Sequence, residues 1–135
     1  MEIAEVRYQG GLQTEAEHQL SGQLLKTDAP PDNSGKGEAF SPTDLMATAL
    51  ASCMITTMSI SANQHNLLLD DVVVGVSKEM AESPRRINTI RLEFDISGPN
   101  LTDGQKQLLE EAAQNCPVAM SLSPEINQEV NFDYS

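Results

Sequence analysis

An α+β fold is predicted by three observations. Short extended segments cluster at the start of the chain and again after its middle. One long apolar helix separates the two clusters, and a second, amphipathic helix precedes the last extended segment. The long helix has a strong start signal: Ser41 suits the cap, Pro42 the first helical position, and Asp44 lies three residues after the cap.

In chain order, residues 3–8 and 13–18 flank Gln9-Gly10-Gly11-Leu12, where two glycines between extended runs predict a hairpin. A strand at 23–27 completes a meander. Residues 28–39, DAPPDNSGKGEA, are dense in Pro, Asp, Asn, Ser and Gly and read as a loop without regular structure. Gly35-Lys36-Gly37 within it lacks the spacing and the Lys-Ser/Thr of a phosphate loop. The helix is expected from Pro42 to about Asn63, with Asn63 and Asn66 marking its end. From Leu45 onward it has no plain water face, which predicts burial all round. Met46, Met54 and Met58 are expected on one packing stripe.

Residues 70–80 read as a strand, ESPRRINT as a turn, and Ile90, Leu92, Phe94 and Ile96 alternate along the next strand, which Ser97-Gly98-Pro99-Asn100 should end. Thr102 or Asp103 should cap a helix over 104–115, with Leu108, Leu109, Ala112 and Ala113 inward and Lys106, Glu110 and Glu111 outward. Pro117 disfavours helical geometry at Cys116, placing that cysteine at a helix end, and a short helical turn should follow to Leu122. A strand over 126–134 closes the chain.

With 135 residues the chain fits a single domain spanning 1–135, large enough for a core without disulfides or metals. A net charge of −12 and eight Lys plus Arg exclude a nucleic-acid partner. The N-terminus has no signal-peptide pattern, and the 40–62 segment is rich in Ser and Thr for a membrane span, so a cytoplasmic protein without a membrane partner is expected. There the two cysteines rest as thiols, and any bond between them is transient and redox-active. His18 and His65 lack metal-ligand spacing, and no metal or cofactor is called for. C-x-x-C is absent, which argues against a general thiol–disulfide oxidoreductase.

SPTDLMATALASC, PRRINTIRLEFDISG and CPVAMSLSP, in this order and spacing, resemble the OsmC/Ohr family, the osmotically induced and organic hydroperoxide resistance proteins, along nearly the whole chain. The resemblance implies antiparallel sheets wrapped around two long central helices in an intertwined homodimer. It further implies a thiol-dependent peroxidase for organic hydroperoxides in oxidative stress defence, with Cys53 as the peroxidatic and Cys116 as the resolving cysteine. A small organic hydroperoxide and an external dithiol reductant would be its partners.

Where the peroxidase branch has an arginine in the glycine turn and a glutamate ten residues before the first cysteine, this chain has Leu12 and Thr43. A thiol in mid-helix gains little from the helix dipole and needs a neighbouring cation to ionise. Asp44 and Glu38 are the nearest acids to stand in for the glutamate, against plain roles as cap and solvated loop residue. Arg7, Lys36, Arg85 and Arg86 are the candidate cations, against ordinary surface charge. The competing function is a non-catalytic dimer that binds a small apolar ligand.

Overall fold

The computed structural model describes residues 1–98 and 100–135; of the turn expected at 97–100, Pro99 lies outside the described residues. The chain divides into two compact units, Met1–Met46 and Ala47–Ser135.

In the N-terminal unit, β1 (Ala4–Gly10), β2 (Gln13–His18) and β3 (Leu24–Asp28) form an antiparallel meander in that order. The hairpin sits where the glycines place it, with Gly10, Gly11 and also Leu12 at positive φ. Leu12 carries the steric cost of that conformation, which a glycine would avoid. Register pairs Val6 with Ala16 and Ala16 with Leu25, and Tyr8 with Thr14 and Thr14 with Thr27. One face of this sheet is therefore largely apolar, while Glu5, Arg7, Glu15, Glu17 and Lys26 lie on the other.

The 28–39 segment is more ordered than its composition suggests. A 3-10 turn spans Pro31–Asn33, because proline's fixed φ suits its start and Ser34 leaves it in the left-handed region. Gly37 N–H donates to the Ala29 carbonyl at 3.2 Å and Gly35 N–H to that of Pro30 at 3.0 Å. A Cβ on Gly35 would fall 1.7 Å from the Ala29 oxygen, so only glycine fits.

The long helix α1 (Pro42–Gln64) starts at the expected capping box: Ser41 Oγ accepts from Asp44 N–H at 3.0 Å, and the Asp44 carboxylate accepts from Ser41 N–H at 3.0 Å. It ends with Asn66 at positive φ, Leu67 N–H on the Ala62 carbonyl and Asn66 N–H on that of Asn63, the Schellman pattern. Burial all round is not what the single chain shows. Ala47, Leu50, Ala51, Met54, Met58 and Ala62 are buried, but Ala49, Ser52, Thr56 and Ile60 are exposed. Met46 is also exposed, since eight residues carry it well around the helix from Met54, which is buried.

The C-terminal unit holds β4 (Asp71–Ala81), β5 (Arg86–Ser97), α2 (Asp103–Gln114), α3 (Pro117–Ser121) and β6 (Asn127–Tyr134). Its sheet runs β4-β5-β6. β4 and β5 are antiparallel, but β6 pairs parallel to β5, which corrects the expectation of wholly antiparallel sheets. The reason is connectivity: parallel neighbours need a long crossover, and α2 and α3 supply it. Ile90, Leu92, Phe94 and Ile96 all face the core, and a register shift opposite Glu79 and Met80 lets Ile87 join them. Phe94 and Phe132, in register across the parallel pair, bring their ring centroids to 4.7 Å.

Thr102 caps α2 in a reciprocal box with Gln105. Lys106 and Glu110 are not solvated as expected: the Tyr134 hydroxyl donates to Glu110 at 2.8 Å and Lys106 Nζ lies 4.7 Å from the Tyr134 ring centre. The strand that returns beside β5 brings Tyr134 to α2, a contact no local pattern announces.

Candidate active site

Both cysteines belong to the C-terminal unit. Cys53 lies in the middle of α1, next to the buried Met54, and is half-buried against the core. Cys116 follows α2 and caps α3: its N–H donates to the Ala113 carbonyl at 3.2 Å, and its sulfur accepts from Ala119 N–H at 3.4 Å. Pro117 occupies the first position of α3, where its missing N–H costs nothing. Cys116 has no exposed surface.

Burial, the largest influence, pushes the Cys116 thiol up from its ordinary value. The Ala119 and Val118 amides work against that shift, and Cys53 reinforces it both as a hydrogen-bonding neighbour and as a charge. Two thiols 63 residues apart in sequence are thus electrostatic neighbours, with one held protonated and the other retaining exposed surface. Such a pair can cycle between dithiol and disulfide, and the accessible member can be oxidised first.

The candidate supporting residues Asp44, Glu38 and Arg7 lie in the N-terminal unit. Asp44 serves the α1 cap. Glu38 has an exposed side chain, and its backbone N–H donates to the Asp28 carboxylate at 2.9 Å. Arg7 is largely exposed and pairs with Glu5 at 3.0 Å. In the other unit, Arg86 donates to the Glu82 and Pro84 carbonyls, and Arg85 reaches Glu82 at 3.6 Å. His18 bonds Ser21 and His65 the Ser61 carbonyl.

Sequence reasoning missed Asp28, which it left in the loop. Asp28 is fully buried at the end of β3, and the Glu38 amide, foremost among its neighbours, holds its carboxyl below the ordinary value. Gln13 and the Lys36 and Ala29 amides add to this. The available signal was an acid in register at a strand end, ahead of a loop rich in backbone donors.

The family model described as OsmC-like protein matches residues 35–131. Among solved structures, one from Psychrobacter arcticus 273-4, provisionally described as an osmotic stress induced and detoxification response protein, is 42% identical, with 98% of this chain and 96% of that chain covered and a TM-score of 0.93. The OsmC like protein from Mycoplasma pneumoniae is 17% identical, covers 97% and 94%, and has a TM-score of 0.80. An organic hydroperoxide resistance protein OsmC from Legionella pneumophila is 18% identical, covers 98% of each chain, and has a TM-score of 0.74. The last two likenesses concern the fold alone. No curated protein matches the chain. The family match spans most of the sequence and includes both cysteine segments, and the chain belongs to the OsmC-like protein family.

Proposed function

We propose that this protein is a thiol-dependent peroxidase that reduces small organic hydroperoxides in oxidative stress defence. One observation carries the reading: the Cys53 and Cys116 thiols, far apart in sequence, pack into one core with unequal burial. Cys53, as thiolate, attacks one peroxide oxygen of ROOH. The O–O bond breaks, the alkoxide takes a proton and leaves as alcohol, and Cys53 becomes a sulfenic acid. Cys116 then loses its proton and attacks the Cys53 sulfur, expelling hydroxide as water and closing the disulfide. An external dithiol restores both thiols. Family membership supports a peroxide-related stress role.

The reading includes a cytoplasmic homodimer. By length and composition α1 could cross a membrane, but core helices of soluble proteins are equally long and apolar. The exposed Val6, Tyr8 and Leu25 on the apolar sheet face favour a protein partner, and a second copy is the simplest one. Sedimentation should report a dimer at micromolar concentration; a stable, well-behaved monomer there would count against it.

A second reading, a non-catalytic dimer that binds a small apolar ligand, is favoured by a groove of about 290 Å³ between α1 and β4, lined by Thr48, Ala51, Ser52, Ile55, Thr56, Val74 and Val76. Leu12 and Thr43, at the expected arginine and glutamate places, favour it too. Intact mass and free-thiol count before and after brief treatment with an alkyl hydroperoxide decide between the two. The peroxidase reading expects both thiols to disappear. Two free thiols after prolonged exposure, with Cys53 still open to a small alkylating agent, would leave ligand binding in its place.

A further inference from the structure

The two sulfurs differ in what surrounds them, and that difference bears on how a disulfide between them is reopened. Cys116 has no exposed surface within a single chain, and association with any partner only removes surface further. Cys53 keeps part of its surface. Cys116 sulfur also sits against the start of α3, where Ala119 N–H points at it from 3.4 Å.

We infer that, in the Cys53–Cys116 disulfide, the external thiol attacks the Cys53 sulfur and expels Cys116 as the leaving thiolate onto the Ala119 amide. This rests on the pairing of these cysteines proposed above. The attacking thiolate forms a new S–S bond to Cys53 while the Cys53–Cys116 bond breaks, and the electron pair stays on the Cys116 sulfur. Ala119 N–H is already aimed there to receive the charge. Burial favours the protonated form, so the departing thiolate then takes up a proton. With a dithiol, the second thiol of the reductant loses its proton and attacks the reductant sulfur now bound to Cys53, releasing Cys53 and closing a disulfide within the reductant. Two factors compete over which sulfur is attacked: a buried thiol of raised pKa is the slower leaving group, but a buried sulfur cannot be reached. Access decides, because the choice requires a collision with one sulfur before any leaving group departs.

The test starts from protein oxidised with diamide, so disulfide formation does not depend on any peroxide reaction. The oxidised protein meets a monothiol, 2-mercaptoethanol, for a short time, is quenched in acid, and its freed thiol is alkylated and mapped by peptide mass spectrometry. The adduct is expected on Cys53, with Cys116 alkylated, in roughly tenfold or greater excess over the reverse product. In denaturant, where both sulfurs are reachable, that excess should collapse toward parity. An adduct mainly on Cys116, or the same ratio in native and denatured protein, overturns the inference. Failure of diamide to close the disulfide overturns it as well, together with the pairing. A disulfide that forms with diamide but not with hydroperoxide, and then opens at Cys53, upholds this inference and defeats the peroxidase reading alone.

Discussion

The two units use the same device, a three-stranded sheet with one apolar face, to opposite ends. In the C-terminal unit β5 turns Ile90, Leu92, Phe94 and Ile96 inward, and all four are buried within that unit. In the N-terminal unit Val6, Tyr8 and Leu25 share a face of equal regularity, and they stay 66%, 69% and 42% exposed. The buried residues there are polar: Thr27, Asp28 and Ser41. Patterning makes a face, but only an opposing apolar surface makes a core. A unit that supplies its own opposing surface can house a buried thiol; one that does not leaves its apolar face open.

The contrast is broken most severely at Leu50, which has no exposure. Leu50→Asp should abolish folding, since a buried unpaired charge costs on the order of several kcal/mol, comparable to a total stability of about 5–15 kcal/mol. Loss of far-ultraviolet dichroism and of the urea transition would report it. Next comes the proposed activity, whose two thiols lie in the C-terminal unit: Cys53→Ser should remove hydroperoxide consumption, while Cys116→Ser should allow one turnover and leave a sulfenic acid that dimedone traps. The N-terminal double change Leu12→Arg with Thr43→Glu should only raise the rate, and only if those positions face the thiol; a larger loss there than at Cys53 would reverse the contrast. Third, Val6→Asp puts a charge on the exposed sheet face. It should convert the proposed dimer to monomer in sedimentation with the dichroism retained, where Leu50→Asp loses both.

The units should also respond to opposite ends of the pH scale. Asp28 is held below its ordinary 3.8, so its contribution is present above that value and is lost as pH falls through the folded one. Broadening of the Glu38 amide signal under acid, already present at neutral pH in Asp28→Asn, would show it. Cys116 is raised from 9.0, so the folded chain holds this proton more tightly than the unfolded one. Its contribution is full below 9.0 and is lost as pH climbs through the folded value. Tyr134, raised chiefly by burial and then by Glu110, behaves alike from 10.0 upward. Urea midpoints measured against alkaline pH should fall less steeply in Cys116→Ser. The smallest effect is expected for Tyr134→Phe, which gives up the 2.8 Å bond to Glu110 and should cost about 1 kcal/mol at neutral pH.

Much of the architecture is legible in local signals. The capping box of Ser41 and Asp44, the αL stop at Asn66, the Thr102 cap and the alternation from Ile90 to Ile96 each rest on residues within a turn or two of one another, and the structure realises each of them. Proline after Cys116 likewise placed that cysteine at a helix end. What the chain could not disclose by itself depends on partners distant in sequence. The parallel pairing of β6 follows from the path of α2 and α3, and the Tyr134 cluster from that pairing. Which half of the apolar α1 is buried depends on the elements packed against it, since a helix without a polar face has no pattern to orient it. Asp28 became a buried anchor only because the 29–38 backbone turns back its amides toward it. The nearness of the two thiols belongs to the same class: sequence places each cysteine on its element, and tertiary packing alone brings Cys116 to Cys53, because no local rule spans that separation.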